Sequence, residues 1–393
     1  MKYPTLSPKY ILWIFLVLLG LQACSSDNQQ EKSSENDFQI EKIDSFEVNN
    51  LTRVIISDYS EQEKTYLGYA TVEDEILEID LDGNIIQRAK KKGDGPGNYG
   101  NWNPIGMSFG PDGLRIAELP FALFAFDSTY QTQFQQRIQS PLPIRAFGPL
   151  GKTQYFESND SIFFLVGPSN YLSAHYLIRN EEGRDTLKNF YKLHLESGEM
   201  KSVVPYRAQS VYRQTEGFYP ELMTKSFQIN RKTSELLVLH GLEDEIEVYD
   251  LPGLNYKGSI PLKHEEFLTY NSVPIEIEQN DERITQLRMM AGRNISLIQI
   301  DEDLYLISYF TGITPSEYDN RKAEDPLYSP ISDLNEKRLI LIKNKKQLNQ
   351  ELPSVPGIIL FGMGSGKFLV QEPENSEIEE EVTRFSIYQV RKK

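Results

Sequence analysis

The chain has 393 residues, 39% of them hydrophobic, with 41 Lys and Arg against 57 Asp and Glu and a formal net charge of −16. That balance excludes the basic patches needed for nucleic acid or for an anionic lipid surface, so no nucleic-acid partner is expected. The 22 Tyr and 20 Phe lean towards β structure, and the single cysteine excludes an intrachain disulfide.

Residues 1–23 read as an export leader. Lys2 and Lys9 form a weakly basic start, and Ile11 to Leu21 is an apolar run too short for a comfortable membrane span. The run ends in Leu21-Gln22-Ala23-Cys24, which resembles a bacterial lipobox, with Gln22 the least typical member. The resemblance implies lipidation of Cys24 as the mature N-terminus; the alternative is a secreted chain with one free thiol. At about 0.8 kcal/mol per buried CH₂, two or more acyl chains anchor stably. Ser25 stands where an inner-membrane retention aspartate would, which favours the outer membrane and leaves its periplasmic or cell-surface face open. Residues 24–36 are polar and read as a flexible tether reaching roughly 20 Å.

Residues 37–393 carry a repeated unit. Alternating apolar strands joined by tight polar turns recur at 75–88, 122–137, 189–204, 245–260, 337–352 and 383–390. Their turns carry Asp-Gly, Ser-Gly or Pro-Gly, which tolerate the backbone angles required. A second hairpin precedes each, as in TRVIISDYSEQEKTYLGYA before the first and GIILFGMGSGKFLVQ before the last. The unit is therefore four strands, A to D, present six times. Such a sheet cannot bury both faces alone, and radial closure gives an all-β, six-bladed β-propeller. Seven blades or two sandwich domains are the alternatives. The last unit lacks an outer strand, which Phe38 to Val48 supplies if the N- and C-terminal strands pair to close the ring. One helix is expected within 276–291, with Ile284, Leu287 and Met290 on one face.

The stretch GDGPGNYGNW (93–102) lacks the Lys-Ser/Thr and the following helix of a phosphate loop. It reads either as a gap filler between blades or as the rim of a site. With the lipobox and the six hairpins, this segment resembles Gram-negative lipoproteins with a TolB-like or NHL-like six-bladed propeller, although Asn98 stands where their glutamate usually sits. The resemblance implies fold and location; the group carries no established reaction.

In such a propeller the B–C and D–A connections share one face. That places Tyr99, Trp102, Tyr171, His175, Tyr206, Arg207, Tyr212, Arg213, Tyr318 and Arg321 on one rim. Aromatics interleaved with arginines suit a glycan, a peptide or an envelope protein. The four histidines, His175, His194, His240 and His264, lack ligand spacing, so neither a metal nor a cofactor is expected. No GxSxG elbow is present, and Asp301-Glu302-Asp303 reads as a hairpin turn. The leading expectation is a lipid-anchored propeller that binds a ligand or partner through its loop face. The alternative is a glycan-acting hydrolase or lyase with carboxylates at the channel mouth.

Overall fold

A computed structural model describes residues 38–139, 150–167, 188–278, 280–348, 351–374 and 381–393. The leader, Cys24 and the tether lie outside the described residues, as do Tyr171 and His175.

The strand patterns dictate the blades. Second strands such as Thr65–Ala70, Glu235–His240 and Leu304–Phe310 are buried along their whole length, because a blade touches neighbours on both faces. Outer strands such as Thr132–Arg137 alternate between half-buried and exposed, because one side meets solvent.

Blade 1 comprises Val54–Ser60, Thr65–Ala70, Glu75–Ile79 and Ile85–Lys90. Blade 2 comprises Gly106–Phe109, Arg115–Leu119, Ala122–Phe126 and Thr132–Arg137. Blade 3 comprises Tyr155–Ser158, Ser161–Val166, Lys188–His194 and Met200–Pro205; just before it, Gly151–Lys152 pairs parallel with the inner strand of blade 2. Blade 4 comprises Lys225–Asn230, Glu235–His240, Glu245–Asp250 and Tyr256–Pro261. Blade 5 comprises Arg293–Gln299, Leu304–Phe310 and Lys337–Lys343, with two short outer pieces, Lys346–Gln347 and Leu352–Pro353. Blade 6 comprises Ile358–Gly364, Lys367–Gln371, Val382–Lys392 and, from the other end of the chain, Phe38–Asn49.

The ring is therefore six blades, and its ends close it. Phe38 pairs with Lys392 and Asn49 with Val382, in an antiparallel ladder broken by one bulge near Lys42. Phe46 of the closing strand stacks on Phe385 of blade 6 (5.2 Å) and on Tyr66 of blade 1 (4.9 Å). One apolar cluster fills each of the six blade interfaces, so the core is a circle of wedges.

Polar side chains stitch the inner strands. The Gln154 amide donates to Phe227 O and its carbonyl accepts from Ile229 N at 2.8 Å, tying blade 3 to blade 4. Gln228 donates to Leu297 O at 3.0 Å, tying blade 4 to blade 5. Gly362 brings blade 6 against blade 5 so closely that a Cβ would sit 1.9 Å from Gln299 O.

Among the described residues three α-helices decorate the loop face: α1 (Val211–Gln214), α2 (Glu282–Met289) and α3 (Pro315–Glu324). α2 is the expected helix, shorter than its pattern. Asp281 caps its start, and Ile284, Leu287 and Met290 are buried.

Candidate functional site

Two regions gather chemistry: the loop face and the central channel. On the loop face, GDGPGNYG folds back on itself. Gly93 and Gly100 exchange backbone hydrogen bonds of 2.9 and 3.1 Å, both at positive φ, where glycine avoids strain. The turn drives Tyr99 between blades 1 and 2, its hydroxyl 3.4 Å from that of Tyr69 and its ring edge-on to Phe124. Burial pushes the Tyr99 phenol up to about 12.

Trp102 goes the other way. It is 42% exposed and meets the equally exposed Phe121 edge-on at 5.4 Å. Leu51 (77%) and Val72 (71%) are also exposed on this face. Polar contacts thread the four together. Thr52 donates to Glu73, while Lys92 bridges Asp74 (2.8 Å) and Asn103 (2.7 Å). Leu51, Val72, Trp102 and Phe121 thus form one apolar arc over blades 1 and 2 with charges between.

The other rim candidates are engaged in the scaffold. Tyr206 lies buried against the His240 ring at 4.8 Å. The Tyr212 hydroxyl donates to Leu222 O (2.7 Å) and accepts from Leu242 N (2.9 Å). Arg207 pairs with Glu245 at 2.6 Å beneath the Tyr256 ring, and Arg213 donates to Tyr206 O. Arg321 holds Asp333 and Glu336, both at 2.7 Å, and Tyr318 packs on the Met290, Phe310 and Ile313 cluster under α3. Thus 204–220 and 311–336 are braced locally, and among the described aromatic candidates Trp102 is the most exposed.

The histidines divide by environment. His194 Nδ1 accepts from Ser197 N in a turn at 3.1 Å. His240 is buried among Tyr206, Tyr212 and Glu247. His264 sits between Phe267 and Tyr309, and burial pulls its pKa down. Among the described residues no group of three or more His, Cys, Asp or Glu could hold a metal ion.

The channel holds groups that sequence reasoning missed. A cavity of about 690 Å³ lies between the inner strands of blades 3 to 6. Turn residues Glu61, Lys232, Asp301, Glu302 and Ser365 line its mouth, on the face opposite the loops. Lys152 and Lys225, from strand starts, line its inner end. Lys152 pairs at 2.6 Å with the buried Asp58, whose other oxygen accepts from Phe109 N. Lys225 donates to Asn189 O and lies 4.3 Å over Phe190. Burial pulls its ammonium down to about 7, against the opposing pull of Glu118. Glu118, held at 3.2 Å by Thr153, is pushed by burial up to about 7. No local motif announces this group, because it exists only once three blades are in register.

No family model and no curated protein matches the sequence. Solved structures do match. A Bacteroides vulgatus member of the DUF4221 family aligns with 92% of this chain and 100% of its own, at 15% identity and a TM-score of 0.63. A Bacteroides fragilis protein described as a candidate exported protein aligns with 92% of this chain and 97% of its own, at 9% identity and a TM-score of 0.50. At such identities the likeness defines the class by fold: a six-bladed β-propeller similar to these Bacteroides proteins.

Proposed function

We propose that this protein is an exported, lipid-anchored propeller of the outer membrane that binds a partner protein through its loop face. The carrying observation is the apolar arc of Leu51, Val72, Trp102 and Phe121 on a rigid scaffold. Large aromatics ringed by polar groups are the usual anchors of protein interfaces. The Bacteroides fragilis likeness and the lipobox-like Leu21 to Cys24 support export. The TolB-like and lipoprotein resemblance of the sequence belongs to the same reading, with the leader at 1–23, lipid on Cys24 and the tether at 24–36.

Topology supports the arrangement. The tether leads to Phe38, which pairs with Lys392 at the turn end of blade 6. The anchor therefore joins the turn face, and the loop face with Trp102 points away from it.

Photo-crosslinking in cells tests the reading. A photoreactive phenylalanine analogue at position 102 or 121 is expected to yield one discrete protein adduct. The same analogue at position 81, exposed in a turn-face hairpin, is expected to yield none. Equal adducts from all three positions, or none from any, would refute it.

A further inference from the structure

The channel cavity carries an inference independent of the loop-face reading. We propose that it binds a small organic oxyanion at its turn-face end, with the charged group on Arg231 of blade 4 and the carbon skeleton running into the cavity past Tyr155, Phe227 and Phe361.

Four cations line the cavity: Lys152 and Lys225 at its inner end, and the turn residues Arg231 and Lys232 at its mouth. Two are already neutralised, Lys152 by Asp58 and Lys232 by Glu302. Arg231 differs. Its guanidinium lies 3.9 Å over the Tyr155 ring, and among the described residues no carboxylate pairs with it. A guanidinium offers a planar fork of donors that matches a carboxylate or a phosphate ester two bonds at a time. An aromatic ring beneath it fixes the plane and leaves the edge for the ligand.

The size sets the class. About 690 Å³ is far more than a bare inorganic ion fills and lies within the usual range of small-molecule sites. The walls offer the Tyr155, Phe227 and Phe361 rings beside polar inner-strand groups. Of the three acids at the mouth, Glu302 is held by Lys232 and Asp301 caps its own turn by accepting from Glu302 N, while Glu61 stands on the turn of blade 1, not on the blade 3 and 4 side where Arg231 lies.

Calorimetric titration of the full mature chain with benzoate, phenyl phosphate and uncharged benzamide tests this. Benzoate or phenyl phosphate is expected to bind with Kd of about 1 mM or tighter, and benzamide not at all. Whichever of the two anions binds tighter identifies the headgroup as carboxylate or phosphate. Arg231→Gln, at an exposed position, should weaken binding tenfold or more with an unchanged thermal melt. Arg283→Gln on α2 should leave binding unchanged. Absence of binding by both anions, equal binding of benzamide, or insensitivity to Arg231→Gln overturns the proposal.

Discussion

Arg115 shows how single residues hold neighbouring blades. It joins blade 2 to blade 1 by two bonds to Glu78 (2.8 and 3.1 Å) and two to Glu63 (2.6 and 3.3 Å). Tyr130 adds a bond of 3.0 Å to Glu78. Removing one partner of a buried pair strands the other charge, so Arg115→Met should destabilise by about 3–5 kcal/mol in urea unfolding. Adding Glu78→Leu should recover much of that loss; if it deepens the loss instead, the stranded charge is not the cause.

Glu118 and Lys225 act on stability through pH. Glu118 is raised from 4.5 to about 7 on folding, so its contribution is full below pH 4.5 and lost as pH rises to about 7. Lys225 is lowered from 10.5 to about 7, so its contribution is present above pH 10.5 and lost as pH falls towards 7. Urea midpoints compared with wild type should show Glu118→Gln removing a decline between pH 5 and 7. Lys225→Met should likewise remove a rise between pH 7 and 9. Parallel wild-type and variant curves would contradict both assignments.

At the scale of elements, the closing strand and the glycine turn carry the most consequence. Phe46 fills a slot between Tyr66 and Phe385, and Phe46→Ala should cost about 3–5 kcal/mol in chemical unfolding. Tyr99 and Trp102, three residues apart, should separate cleanly. Tyr99→Ala should lower the melting temperature strongly by emptying an interblade slot, whereas Trp102→Ala should lower it less and should abolish the adduct formed from position 121. The strands were legible because two-residue alternation and Gly-bearing turns are local signals. α3 is not among the expected elements: Thr314-Pro315-Ser316-Glu317 does spell a capping box with proline at the first turn, both present in the structure, but the helix has no buried apolar face to produce a periodic pattern.

For the whole molecule, the ring and its closure could be read from the odd strand count of the last unit. The site could not. Chain position says which connection a residue belongs to, but not whether its side chain turns inward, as with Tyr99 and Tyr212, or is half exposed, as with Trp102. The channel cations come from the first strand of blade 4 and the turn after it (Lys225, Arg231, Lys232) and from the connection before blade 3 (Lys152), and only the register of the ring sets them around one cavity. Under the proposed anchoring, Cys24→Ser should shift the protein from the membrane pellet to the soluble fraction, and continued pelleting would tell against it.

Pairing between residues at opposite ends of the chain closes the ring, and under the proposed anchoring it would set the tether and the recognition surface on opposite faces. Glu47 and Arg384 are ladder partners joined by an ion pair of 3.0 Å. Cysteines at both positions, in a mature chain lacking Cys24, should oxidise to one intramolecular disulfide, seen as a linked 47–384 peptide by mass spectrometry. A folded protein whose two cysteines stay reduced under the same oxidation would contradict the closed ring.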